Sequence, residues 1–273
     1  MKQVLITGAT SGLGLEFTHY YASRGYHVHL LGRNNDKLLE LKAQYQDKAE
    51  VNLYCIDLGN DDQLNHWLNE IKDIDYDIVI NNAGFGDYGE FVESDINKQE
   101  YMIKTNCIAL TKIAHTVLNN MKKRNYGYLL NVGSLAGFMP GPMMSVYYAT
   151  KAYVLTFTEA IAQELKGSGV QVSLLAPGPT KTQFNKNANT DASSLIEVHS
   201  KGFNLLHSGD PKEVALEGIK GMNRNKRIII PYLQNKLLAT LVRFVPRSWV
   251  TEAQVQIMRI RHGKATKSNE QPH

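Results

Sequence analysis

The sequence predicts an α/β fold, a doubly wound parallel sheet with helices on both faces. Three observations carry that expectation. Short β-branched runs alternate with longer segments of 3.6-residue apolar period. The runs are apolar at successive positions, as strands buried on both faces are. A glycine-rich turn separates the first run from the first helical segment. Strands alternating with helices of this length imply right-handed crossovers, which cover both faces of a parallel sheet.

The elements follow in order. VLIT at 4–7 is a strand, and the periodic segment 13–24 is a helix. HVHLL at 27–31 is a strand before a helix at 35–45, and VNLYCI at 51–56 is a strand before a helix at 61–71. IVIN at 78–81 is a strand, followed by one long helix near 98–124. YLLNV at 128–132 leads to a helix at 145–166, and VQVSLL at 170–175 is the next strand. A helix at 211–222 and a strand at 227–230 complete the alternation. Segments 235–244 and 249–260 read as helices with Pro246 between them. In such a sheet, ligands bind just beyond the carboxyl ends of the strands, where the strand order reverses.

The chain has 273 residues, enough for one large α/β domain that buries about three quarters of its unfolded surface. No repeat, low-complexity tract or linker divides it. The expected organisation is a catalytic domain over 1–231, including a long polar segment at 183–209, and a C-terminal helical extension over 232–273. The net charge of +4 does not demand a nucleic-acid partner. From Tyr232 onward seven Lys/Arg stand against two Glu, a basic end that a solvated tail, an acidic partner or an anionic lipid surface would each explain. Cys55 and Cys107 have no metal-ligand spacing, so no metal is expected. MKQVLIT runs directly into the glycine turn, with no signal peptide, and the expected location is cytoplasmic.

The turn reads Thr7-Gly8-Ala9-Thr10-Ser11-Gly12-Leu13-Gly14. Glycines let the backbone turn tightly and approach a ligand closely, and the following helix aims free N–H groups at an anion. This is the chemistry of a phosphate cradle. The second strand ends Leu31-Gly32-Arg33, with no carboxylate. A carboxylate there would hold a ribose 2′-hydroxyl, whereas an arginine accommodates a 2′-phosphate, so Arg33 favours NADP over NAD.

Residues 147–151 read YYATK. Residues four apart share a helix face, which pairs Lys151 with Tyr147 and not with Tyr148. A phenol with a pKa near ~10 is a poor acid–base catalyst at neutral pH, and a nearby ammonium lowers that value. Ser134, just past the strand at 128–132, is a hydroxyl at a carboxyl end. Asn81-Asn82-Ala83-Gly84 follows the strand run Ile78–Ile80, and Asn106 is a polar residue within the long helical segment. Taken singly, Lys151 also reads as a solvated helix lysine, Ser134 as a turn residue and Asn106 as a buried amide bonded to backbone.

Together, TGATSGLG, NNAG, Asn106, Ser134, YYATK and PGPTKT resemble the short-chain dehydrogenases/reductases, in the expected order over roughly residues 1–230. The resemblance implies a Rossmann-type domain that transfers hydride between a nicotinamide cofactor and a carbonyl or alcohol. It implies Tyr147 as acid in reduction and base in oxidation. Lys151 would lower the Tyr147 pKa and bond the nicotinamide ribose, Ser134 would bond the substrate oxygen, and Asn106 would hold a relay water. Gly8, Ser11, Gly12 and Leu13 would line the pyrophosphate and adenosine side. Arg33 would meet the 2′-phosphate, and Asp57 and Leu58 would flank adenine. Asn82, Ala83 and Gly84 would follow the adenosine ribose, while Pro177, Gly178, Thr180 and Thr182 would hold the nicotinamide. It also implies a homodimer or homotetramer formed through the helices of Asn106 and Tyr147.

The loop after Ser134 is rich in Met, a flexible and polarizable residue suited to adaptable apolar sites. Leu135, Met139, Met144 and Phe184 are the expected substrate wall, and the segment 183–209 is a candidate lid. The leading reading is an NADPH-dependent carbonyl reductase for a bulky or elongated apolar ketone, aldehyde or β-ketoacyl group. The alternatives are a non-catalytic dinucleotide sensor on the same fold, or a membrane-peripheral protein using its basic end. The extension is expected to pack on the body, with lipid contact second.

Overall fold

The computed structural model describes residues 1–181 and 208–256. Seven parallel strands form one sheet: β1 (Gln3–Thr7), β2 (His27–Gly32), β3 (Val51–Cys55), β4 (Ile78–Asn81), β5 (Gly127–Val132), β6 (Val170–Leu175) and β7 (Ile228–Ile229). Their order is β3-β2-β1-β4-β5-β6-β7, so the winding reverses between β1 and β4. Val4 pairs with Ile78 and Ile6 with Ile80 across that switch.

Alternate strand residues serve opposite faces, as a pleat of period two requires. Val4, Ile6, Leu30, Ile80 and Leu130 pack beneath α1 (Gly12–Ala22) and α2 (Asn35–Tyr45). Leu5, Leu31, Val79 and Leu129 face the opposite side, beneath α3 (Asp61–Ile71). The expected apolar character on both faces holds for the central strands. β3 is only half-buried, because it is the sheet edge.

Local chemistry explains where helices start. The side chains of Asn34 and Asn60 accept N–H groups of the first turns of α2 and α3, and both helices have the bounds read from sequence. The expected single helix at 98–124 is instead α4 (Ile96–Ile103), a π-helical turn (Lys104–Ala109) and α5 (Leu110–Arg124). Nothing in apolar periodicity marks that turn; tertiary bonds to Asn106, described below, occupy it. α6 (Ser145–Glu164), α7 (Pro211–Asn223) and α8 (Leu233–Leu241) follow. The expected strand at 227–230 shortens to two residues at the other sheet edge. Residues 247–256 are helical.

Candidate active site

At the switch point, the glycine turn closes against the loop after β4. Gly8 adopts φ +67°, and a Cβ there would lie 2.9 Å from Asn82 Nδ2. A Cβ on Gly14 would run into the Gly8 carbonyl oxygen, so both positions exclude side chains. Asn82 Nδ2 donates to the Thr7 carbonyl at 2.9 Å. The Thr7 hydroxyl accepts the N–H groups of Asn82 and Ala83 at 3.0 and 2.9 Å. α1 begins directly after this turn, and the Ser11 side chain does not cap it. Backbone N–H groups at an uncapped helix start fit an anionic diphosphate.

Ala9 N–H bonds the Leu31 carbonyl at 2.9 Å, which ties the turn to the end of β2. Arg33 is exposed there, and its Nη1 donates to the Tyr101 hydroxyl at 3.1 Å. That hydroxyl in turn donates to Asp57 Oδ1. Leu58 beside it is buried. The residues expected along the adenosine half of a dinucleotide therefore lie together, with Tyr101 added.

The catalytic candidates converge at the end of β5. Ser134 caps the short 3₁₀ turn Leu135–Phe138, its hydroxyl oxygen accepting Ala136 N–H at 3.1 Å. The Tyr147 hydroxyl is hydrogen-bonded to the Ser134 side chain. Tyr147 is half-buried overall, but its hydroxyl end lies among protein atoms. Burial drives the Tyr147 pKa well above that of a free phenol, and the Ser134 bond opposes this. Lys151 is buried, and its ammonium is 5.9 Å from the Tyr147 ring centroid. It donates to the Val132 carbonyl at 3.0 Å, and burial lowers its pKa to about 8. The lowering of Tyr147 expected from Lys151 is thus not found in the protein alone, where desolvation raises the value.

Asn106 sits in the π-helical turn, 1% exposed. Its Oδ1 accepts Phe85 N–H at 3.0 Å, and its Nδ2 donates to the Phe85 carbonyl at 2.9 Å and to Thr150 Oγ1 at 3.1 Å. The Thr150 hydroxyl donates to the Tyr147 carbonyl at 2.7 Å. The Asn106 amide therefore braces the loop after Gly84 against the helix of Tyr147 and Lys151. The π-helical turn falls at this site, a common location for such bulges.

Tyr148 is set apart by packing: a Cβ on Gly141 would collide with its ring, so it lies flat over that backbone. Leu135 is buried and its N–H bonds the Pro177 carbonyl at 2.9 Å, joining the serine loop to the loop after β6. Gly178 abuts the fully buried Asn235 of α8, and Thr180 Oγ1 donates back to the Gly178 carbonyl at 3.0 Å. Met139 Sδ is 3.0 Å from Gln254 Nε2, and the Arg243 guanidinium is 5.8 Å from the Phe138 ring centroid. Met144 is half-buried at the start of α6. Thr182 and Phe184, with the segment 183–207, lie outside the described residues, as does 257–273.

A separate cleft of about 290 Å³ lies between α7, β7 and α8, and meets the serine loop through Phe138. Its rim carries Lys220, Arg224, Lys226, Lys236 and Arg243, and none of the catalytic candidates lines it. Among the described residues no cluster of His, Cys, Asp or Glu could hold a metal. No helix among them is long and apolar enough to cross a membrane.

Sequence reasoning passed over Thr7, Phe85, Tyr101, Thr150 and Asn235. Thr7 and Thr150 carried a signal, standing inside TGATSGLG and YYATK. The others act through contacts 21 to 68 residues away in the chain.

Residues 2–193 match the family model described as short chain dehydrogenase. A probable short-chain type dehydrogenase/reductase VdlC of Helicobacter pylori is 30% identical over 262 residues, covering 90% of this chain and 93% of that protein. A 7beta-hydroxysteroid dehydrogenase of Clostridium sardiniense is 31% identical over 211 residues, covering 74% of this chain and 81% of that protein. A very-long-chain 3-oxoacyl-CoA reductase of Laccaria bicolor is 32% identical over 177 residues, 63% of this chain; the match spans about half of that longer protein, 52%. Among solved structures, a short-chain dehydrogenase from Sphingobium yanoikuyae in complex with NADPH superposes with a TM-score of 0.77 at 29% identity, covering 90% of this chain and 97% of that one. With the glycine turn, the Ser134–Tyr147–Lys151 cluster and the parallel sheet in hand, the conclusion is that this chain belongs to the short-chain dehydrogenase family.

Proposed function

We propose that the protein is an NADPH-dependent reductase of a bulky or elongated apolar ketone, aldehyde or β-ketoacyl compound. The observation that carries this reading is the Ser134–Tyr147 hydrogen bond, backed by a buried Lys151. Two hydroxyls that meet each other can both reach one substrate oxygen. When bound, the reduced nicotinamide supplies a hydride equivalent to the carbonyl carbon. Negative charge then builds on oxygen, and positioned donors stabilise it. Ser134 orients that oxygen, its own rotamer fixed by Ala136 N–H. Tyr147 gives up the phenolic proton. Its raised pKa keeps that proton in place at neutral pH until charge develops on the substrate oxygen. Lys151, still mostly cationic at pH 7, stabilises the phenolate left behind. Asn106 holds the Phe85 loop, and its relay-water role remains part of the proposal.

Arg33 at the end of β2, with no carboxylate beside it in sequence, supports NADP over NAD. The NADPH complex of the Sphingobium relative supports it too. The substrate class is supported by the Met-rich loop and by relatives named for 3-oxoacyl-CoA and hydroxysteroid chemistry. The contacts of Asn235, Arg243 and Gln254 support an extension packed on the body beside the serine loop. Exposed Ile103, Ile108 and Tyr153 on the helical faces near the site support a homodimer or homotetramer. The test is oxidation of NADPH and NADH, followed by absorbance, with ketones of increasing chain length. Turnover that rises with chain length and prefers NADPH is the expected result. A preference for small polar sugars, or for NADH, overturns the corresponding half of the reading.

A further inference from the structure

The Arg33–Tyr101–Asp57 contact joins three elements far apart in the chain. Arg33 follows β2, Asp57 follows β3, and Tyr101 stands in α4. The phenol satisfies both partners at once: its oxygen accepts from Arg33 and its proton goes to Asp57. The fold makes room for it, since a Cβ on Gly59 would collide with the Tyr101 ring. Gly59 N–H also bonds Asp57 Oδ1 at 2.9 Å, which holds the carboxylate in place. Phe85 packs against Tyr101, the two ring centroids 5.4 Å apart.

We propose that Tyr101 is a positioning residue for coenzyme choice, holding the exposed Arg33 guanidinium ready for a 2′-phosphate at the ends of β2 and β3. The proposal rests on the NADP reading of Arg33. A free surface arginine samples many rotamers and loses that freedom when it binds an anion. Tying down one of its five donors leaves the others for the phosphate, and much of the ordering precedes binding. Burial and the bond to Asp57 raise the Tyr101 pKa, so the phenol keeps the proton that Asp57 accepts. Asp57 is then engaged by neutral donors, and Tyr101 stands between the carboxylate and the guanidinium. Without Tyr101, Arg33 is free to turn onto Asp57 directly, which would spend its charge on the protein.

The test compares binding of NADP and NAD, and of 2′,5′-ADP and 5′-AMP, to the full-length wild type, Tyr101→Phe and Arg33→Ala by titration calorimetry. Tyr101→Phe should weaken NADP and 2′,5′-ADP by roughly five- to tenfold, within the range for the ordering of one long side chain. It should leave NAD and 5′-AMP unchanged, a split that a merely structural lesion does not produce. An Arg33→Ala that shifts the NADP/NAD ratio beside a Tyr101→Phe that does not, or that weakens all four ligands alike, overturns the role of Tyr101 alone. An Arg33→Ala that leaves the ratio unchanged overturns the NADP reading and this proposal with it.

Discussion

Replacing Asn106 with Ala removes the brace between the Phe85 loop and α6. Three hydrogen bonds disappear, at 2.9, 3.0 and 3.1 Å, from a side chain that is 1% exposed. A net intramolecular hydrogen bond contributes about 1 kcal/mol, and a polar group left buried costs more. Phe85 is half-buried, so water can recover part of what its backbone loses. The expected destabilisation is about 2–4 kcal/mol, which for a chain of this size lowers Tm by roughly 5–12 °C. Thermal unfolding followed by circular dichroism measures it, and amide exchange at Phe85 locates it. Turnover should fall as well, because the Tyr147 carbonyl loses the Thr150 arrangement that Asn106 holds. A Tm within about 1 °C of wild type, or unchanged protection of the Phe85 amide, would refute the bracing role.

Tyr147→Phe should lower turnover by about 10²–10⁴-fold or more while NADPH still binds; Tyr148→Phe should be mild, since Tyr148 lies over Gly141, and a reversed outcome reassigns the acid. His29 is 1% exposed, and its pKa is held down to about 4 by burial and then by His27. Its unfolded value is near ~6.5, so between these limits the unfolded chain binds more protons and stability falls as pH falls. That loss reaches about 3 kcal/mol by pH ~4; urea titrations of wild type and His29→Gln should show a shallower slope for the variant, and equal slopes sink the assignment. Gly14→Ala sets a methyl against the Gly8 carbonyl and should cost roughly 1–3 kcal/mol of stability, with coenzyme binding lost too; unaltered NADPH affinity would show that the turn relaxes.

Much of the site was legible because its parts are local. The glycine turn follows a strand and opens a helix, and YYATK keeps Tyr147 and Lys151 four residues apart on one face. Helices α2 and α3 begin where an asparagine caps them, so their ends were readable too. The break of the 98–124 helix was not, because periodicity averages over a π-helical turn and the bonds that occupy it come from Phe85 and Thr150. The depressed Tyr147 pKa expected from the Tyr–Lys spacing was also not found, because spacing says nothing of the desolvation of the phenol.

The amino-acid sequence by itself determined the parallel α/β class, the order of the motifs and which tyrosine Lys151 attends, since these depend on periods of two and 3.6 residues and on residue type. Tertiary structure decided what braces those motifs. Thr7 pins Asn82 and Ala83 from 75 and 76 residues away, and Tyr101 joins Arg33 and Asp57 across 68 and 44. Such bonds exist only once the sheet has brought its strand ends together. No local pattern encodes them, because each partner alone is an ordinary polar residue.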